Sequence, residues 1–220
     1  MDGQDRRAHR ILAGLKKAYP RPRIALTFKT PLELLVATIL SAQCTDVRVN
    51  IVTRDLFCAY RTVRDYATAD TKRFEKAIRS TGFYRNKAKN IIAAARKIVG
   101  EFRGRVPGTM EELISLPGVA RKTANCVLHG AFGRNAGIAV DTHVLRVSGR
   151  LGLTRHDDPV KVEQDLMAVC ETKEWGRLSL RLITHGRRVC AARAPQCGVC
   201  VLSRLCPSSL LRKAEALKIS

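Results

Sequence analysis

Four cysteines near the C-terminal end, Cys190, Cys197, Cys200 and Cys206, are spaced C-x6-C-x2-C-x5-C. Four thiolates so close in sequence suit one kind of object, a metal centre, and all-cysteine ligation is used by both structural zinc and iron–sulfur clusters. All-cysteine zinc sites usually pair two C-x2-C knuckles, and only Cys197 and Cys200 form one here. Uneven spacing around a single C-x2-C fits a 4Fe–4S cluster better. A disulfide framework is disfavoured, because a chain of 220 residues can build its own core and no secretory signal is apparent.

A second constellation lies upstream. Residues 113–124, LISLPGVARKTA, read as a helix, a tight Gly-containing hairpin and a second helix. Successive backbone N–H groups at such a turn, followed by a helix N-terminus, make an anion site suited to phosphate. Backbone contacts of this kind position a nucleic acid without reading its sequence. Taken alone, Lys122 just after the hairpin is a phosphate contact more often than a nucleophile. Nineteen residues further on, Val140-Asp141-Thr142-His143-Val144 puts a carboxylate at the start of another helix.

The elements that must carry these groups are helices. Apolar residues make up 45% of the chain and aromatics only 5%, which predicts a largely aliphatic core. The first residues lack the apolar stretch of a signal peptide, and no run approaches the ~20 residues of a membrane span, so a soluble intracellular protein is expected. Cys44, Cys58, Cys126 and Cys170 are scattered among apolar residues and read as small buried hydrophobes. Helical periodicity covers 5–18, 46–60 and 85–103, the last with Ala88, Ile91, Ile92, Ala95 and Ile98 inward and its lysines and arginines outward. Thr30-Pro31-Leu32-Glu33 and Thr109-Met110-Glu111-Glu112 are capping boxes. Asp141 and Asp158 are candidate N-caps for helices over 142–151 and from Pro159, and Glu174–Val189 forms the last long helix. No strand pattern is convincing, and the expected fold class is all-α.

The formal charge is +21, concentrated in residues 1–23 (+5), 72–105 (+9) and 173–220 (+8). A field of this size attracts polyanions and speeds their encounter. A merely solubilising basic surface is the plainer alternative; a membrane-surface role is disfavoured because no basic helix has a bulky aromatic face.

With these motifs in order, the chain resembles the endonuclease III family of DNA glycosylases. The likeness runs through Leu40-Ser41-Ala42-Gln43-Cys44-Thr45-Asp46, Gly82-Phe83-Tyr84-Arg85-Asn86-Lys87-Ala88, the LPGVARKTA hairpin, VDTHV, Leu182-Ile183-Thr184-His185-Gly186-Arg187 and the four cysteines. It implies two helical lobes with double-stranded DNA across the cleft: a six-helix barrel over 24–134, with the helix-hairpin-helix at about 110–130, and an iron–sulfur lobe of 1–23 with 135–220. It implies Lys122 as nucleophile, Asp141 as its activating carboxylate, and one 4Fe–4S cluster on Cys190, Cys197, Cys200 and Cys206. DNA contacts are implied for Gln43, Phe83, Lys87, Gly118, Ala120 and Arg193. Gln43 would fill the space left by a flipped-out base, and Phe83 would wedge the opposite strand. Phe83 as ordinary core is the simpler alternative.

The implied activity is bifunctional, excision of oxidised pyrimidines and cleavage of abasic sites, by a DNA-associated monomer. A lysine in a first helical turn faces the positive end of the dipole, where the free amine is favoured over the ammonium. Three departures from the family pattern stand out. Ala120 replaces a second hairpin glycine, at a cost of about 1 kcal/mol if the position requires φ > 0. Phe83 replaces a leucine, and the 191–196 loop keeps Arg193 but no other basic residue. A mismatch adenine glycosylase of the same superfamily is expected to carry a hydroxyl residue at Lys122. A non-catalytic damage-binding module would not need the Lys122–Asp141 pair.

Overall fold

A computed structural model describes residues 3–211, with Gly3 and Gln4 as backbone alone. Helix α1 (Gly3–Ala18) turns Ala8, Ile11 and Leu15 inward. Next along the chain come α2 (Pro31–Leu40), α3 (Asp46–Ala59), α4 (Val63–Ala67), α5 (Thr71–Ile78) and α6 (Tyr84–Glu101). Helices α7 (Met110–Ile114) and α8 (Arg121–Phe132) flank the hairpin, and α9 (Thr142–Leu151), α10 (Pro159–Val169) and α11 (Trp175–Arg188) complete the order. No strand occurs among the described residues; the chain is all-α, as its patterning predicts. No helix among them is long and apolar enough to cross a membrane.

Most helix starts are written in the local sequence. Thr30 accepts from the Glu33 N–H at 3.2 Å with Pro31 in the first turn, and the Glu33 carboxylate reaches back to the N–H of Lys29. Thr109 caps α7 through the Glu112 N–H, and Asp158 caps α10 through two N–H groups. Each such cap satisfies donors that a helix leaves orphaned, worth about 1 kcal/mol. Helices α4 and α5 escape a periodicity search because they are one and two turns long. Packing stabilises them: Tyr66 and Phe74 are fully buried and meet edge-to-face at 5.9 Å. The core is therefore aliphatic with an aromatic patch, rather than wholly aliphatic.

The chain separates into two units, one of Ile24–Ala136 and one of Met1–Arg23 with Gly137–Ser220. The first is built around Leu34, Leu35, Leu40, Phe74, Ile91, Ile98, Leu113 and Leu128. The second has its own core, in which Ile11 and Leu15 of α1 join Val144, Val147, Leu166, Leu182 and Leu202. One further expectation changes. None of Cys44, Cys58, Cys126 and Cys170 is fully buried, and Cys58 is exposed, its thiol turned back to the Arg54 carbonyl at 3.3 Å. Burial pushes the half-buried Cys170 thiol up to about 11.

Candidate active site and cysteine centre

The hairpin between α7 and α8 is closed by main-chain bonds from Leu116 N–H to Leu113 O and from Val119 N–H to Leu116 O, both 3.1 Å. Gly118 sits at φ +77, where a Cβ would also lie 2.8 Å from the Cβ of Asn90. Conformation and space both demand glycine at this position. Ala120 does not need it. Its φ of −89 and ψ of 168 are ordinary extended geometry, so the strain that a left-handed position would impose is absent. Ala120 is the N-cap of α8 and offers no side-chain cap, in contrast to the Thr caps of α2, α3 and α7 to its N-terminal side. Lys122 stands exposed in the first turn of this uncapped helix.

Asp141 begins α9 in the other unit. Its Oδ1 accepts from the Val144 N–H at 2.8 Å, so the carboxylate caps the helix through one oxygen. The extended residues Ile138–Val140 before it are buried, and the Ala139 carbonyl accepts from the Ser179 hydroxyl at 2.6 Å. Lys122 and Asp141 are thus each positioned by the start of a helix, one in each unit.

Gln43 and Phe83 share a feature that the sequence does not announce. Both are exposed and both adopt left-handed backbone, φ 51 and φ 47, without being glycine. Such conformations cost on the order of 1 kcal/mol or more and persist only where the surroundings enforce them. Phe83 is 66% exposed, so it is not core. Lys87 departs from the outward orientation its charge suggests: it is 5% exposed, and its Nζ donates to the carbonyls of Leu40 and Thr81, both at 2.8 Å. Burial lowers its pKa below that of a free lysine, with Cys44 nearby pulling the other way. An ammonium so enclosed is not presented to a phosphate.

The cysteine loop leaves the end of α11. Cys190, Cys197, Cys200 and Cys206, none in a disulfide, line one cavity of about 420 Å³ together with Arg150, His185, Arg193 and Pro195. No three His, Cys, Asp or Glu side chains among the described residues converge closely enough to hold a single ion. Burial pushes the thiols of Cys200 and Cys206 up, while N–H groups of Leu202 and Ser203 and of Ser208 are directed at their sulfurs and act oppositely. His185 Nε2 lies 3.6 Å from Cys200 Sγ, and its Nδ1 lies 3.0 Å from the Tyr19 hydroxyl. Burial lowers the His185 pKa, which favours the neutral ring.

Two arginines fasten this loop, and motif reading missed both. Arg150 donates to Cys190 Sγ at 3.4 Å and to the Ala191 and Ala192 carbonyls at 2.7 Å each. Arg146 donates to the carbonyls of Cys190 and Gly186, both at 3.1 Å. Their spacing of four residues, which puts them on one face of α9, was the available signal. Arg193 is exposed within the loop itself.

Residues 36–172 match the HhH-GPD superfamily base excision DNA repair protein family. The chain is 56% identical over 209 residues to endonuclease III of Synechocystis sp., covering 95% of each protein. It is 40% identical over 196 residues to endonuclease III of Escherichia coli, covering 89% of this chain and 92% of that one. Among solved structures, a trapped endonuclease III–DNA covalent intermediate superposes with a TM-score of 0.90 at 44% identity, over 95% of this chain and 98% of the other. A thermostable thymine-DNA glycosylase, at 22% identity and a TM-score of 0.85, shares the fold. An uncapped hairpin helix carrying Lys122, a second helix begun by Asp141 and a four-cysteine loop occur here in a chain that belongs to the endonuclease III family of HhH-GPD base excision DNA repair glycosylases.

Proposed function

We propose that this chain is a bifunctional DNA glycosylase and abasic-site lyase, acting as a monomer on double-stranded DNA that carries damaged pyrimidines or abasic sites, with the bacterial nucleoid as its place of work. The observation that carries this reading is Lys122, exposed in the first turn of a helix that no side chain caps. The positive end of that helix, and the hairpin before it, suit a backbone phosphate. The same turn would then hold the Lys122 amine against the adjoining sugar. Asp141, bound to its own helix through Oδ1, has a second oxygen with which to accept the Lys122 proton and to stabilise positive charge on the sugar as the base departs. The amine bonds to C1′ and, with loss of the sugar-ring oxygen bond, forms a Schiff base. Removal of a C2′ proton expels the 3′ phosphate by β-elimination. Gln43 and Phe83 are assigned to the space around the extruded nucleotide, Gly118 and Ala120 to the phosphate, and Arg193 to the backbone beyond.

The cysteine cavity fits a polynuclear group. One zinc would draw all four sulfurs to about 2.3 Å from its centre. These thiols instead surround a space of about 420 Å³, with N–H groups directed at two of them. Cys190, Cys197, Cys200 and Cys206 would hold one 4Fe–4S cluster, which supplies cross-linking of the 190–206 loop and no step of the chemistry above. Iron and acid-labile sulfide near four each per chain, without stoichiometric zinc, is the expected analysis.

The test of the activity is borohydride reduction in the presence of abasic duplex. A covalent complex through Lys122 is expected. Lys122→Ala should remove it and lower strand cleavage by a factor on the order of 10³ or more, because a nucleophile cannot be replaced by the rest of its site. Affinity for the duplex should persist. Cleavage by Lys122→Ala at the wild-type rate would overturn the mechanism. A hydroxyl residue at position 122 would have favoured the mismatch adenine glycosylase reading, and Lys122 is what sets it aside.

A further inference from the structure

Lys87 lies buried in α6 with its ammonium between two main-chain carbonyls. No carboxylate is among its partners in those bonds. A buried charge is costly unless something specific is gained, and a well-packed apolar side chain of similar volume is usually the more stable choice. The two acceptors explain the lysine. Leu40 is the last residue of α2, and Thr81 is the last residue of the 3₁₀ turn Arg79–Thr81. Both are helix-end carbonyls that lack an intrahelical donor, and a cation there also meets the negative end of the dipole.

The residues immediately after each carbonyl give the lysine its purpose. Leu40 leads into Ser41-Ala42-Gln43, and Thr81 leads into Gly82-Phe83. Among the described residues, non-glycine positive φ occurs at Gln43, Phe83 and Arg103. Two of these stand within three residues of the carbonyls that share the Lys87 ammonium. Lys87 also holds Phe83 through its own main chain, its N–H donating to the Phe83 carbonyl at 3.1 Å. Gly82, at φ +71 with open space around a would-be Cβ, supplies the backbone freedom on that side. Phe83 extends an apolar ring into solvent from an α6 start that has no side-chain cap. A strained, exposed pair on two separate turns needs a common anchor, and Lys87 is bonded to the start of both.

We propose that Lys87 is a positioning residue for base extrusion, a buried strut that sets the spacing and strained backbone of the Gln43 and Phe83 turns. It touches neither substrate nor reacting atoms. The proposal rests on the reading of Gln43 and Phe83 as the residues that occupy the opened duplex, so the experiment tests both.

Wild type, Lys87→Met, Gln43→Ala and Phe83→Ala are titrated with undamaged duplex and with duplex holding a tetrahydrofuran abasic analogue beside 2-aminopurine, whose fluorescence rises on unstacking. Lys87→Met should keep its affinity for undamaged duplex and the salt dependence of that affinity. It should lose preference for the abasic duplex on the order of tenfold, the equivalent of releasing about one strained residue, and lose the fluorescence rise in parallel. If Lys87→Met does not fold, Lys87→Arg carries the test. It keeps charge and donors but displaces them from the two carbonyls, and the same selective loss is expected. Retained preference and fluorescence in the folded Lys87 variant, with both signals lost in Gln43→Ala and Phe83→Ala, overturns the strut alone. Retention of both signals in Gln43→Ala and Phe83→Ala overturns the reading of those two residues, and the strut with it.

Discussion

The two units of this chain hold their functional groups by different means. In 24–136, Gln43, Phe83 and the hairpin are mounted on a closed apolar core, and their backbone is fixed by caps, main-chain bonds and one buried ammonium. In the other unit, the 190–206 loop is tied at its start by Arg146 and Arg150 and turns four thiols toward a cavity. The first arrangement is complete when its apolar residues are buried. The second would be completed by a ligand on the thiols, because burial by itself opposes ionisation of Cys200 and Cys206. Packing positions the groups of 24–136, whereas the proposed coordination would position the 190–206 loop.

The sharpest way to break the comparison is to remove the coordination. Chelation of the centre, or Cys206→Ser, should collapse hydrogen-exchange protection across 190–206, since binding energy at structural metal sites, on the order of 10 kcal/mol, is also folding energy. Protection of α2, α6 and α8 should stay high. Equal loss in both units, read by exchange mass spectrometry, would mean that the centre supports the whole molecule.

Next in size is Gly118→Ala. It places a side chain at φ +77 and against Asn90, and should lower stability by about 1–3 kcal/mol and weaken DNA binding through the hairpin. Denaturant midpoints with a fluorescence-anisotropy titration read both effects. A variant as stable as wild type would show that the hairpin is looser than its geometry implies.

Arg150→Ala removes bonds to Cys190 Sγ, Ala191 O and Ala192 O, and should cost about 1–2 kcal/mol, felt in the cysteine loop rather than in 24–136. Faster loss of the proposed cluster's absorbance under mild chelation is the readout. An unchanged rate would mean that Arg150 adds nothing to the hold of Arg146 and the main-chain bonds on the loop. Smallest of all is Ala120→Gly. Because Ala120 is already extended, restoring a glycine should raise stability by no more than about 1 kcal/mol, the ordinary preference of an N-cap for glycine over alanine. A large gain would mean that the alanine is strained after all.

Legibility in the sequence tracked the range of the interaction. The caps at Thr30, Thr109, Asp141 and Asp158 were readable because donor and acceptor lie within three residues of one another. The long α6 was readable from its period, and the cysteines from their spacing. Helices α4 and α5 were not, since one or two turns carry little periodicity and rely on Tyr66 and Phe74 packing with other elements. A glycine signals left-handed backbone at Gly118, but nothing signals it at Gln43 or Phe83.

What the sequence by itself determined is therefore the all-α class and the family motifs in their order, and it supplied Lys122, Asp141 and the four cysteines as the candidates with chemistry to offer. Each of these depends on residue type and short spacing, which a linear chain displays. The tertiary structure alone decided that Ala120 is unstrained, that Phe83 stands out in solvent, and that Lys87 turns inward. The reason is physical. A lysine at a periodic outward position is expected to seek water, and only a fold that ends two helices beside it supplies carbonyls able to take water's place.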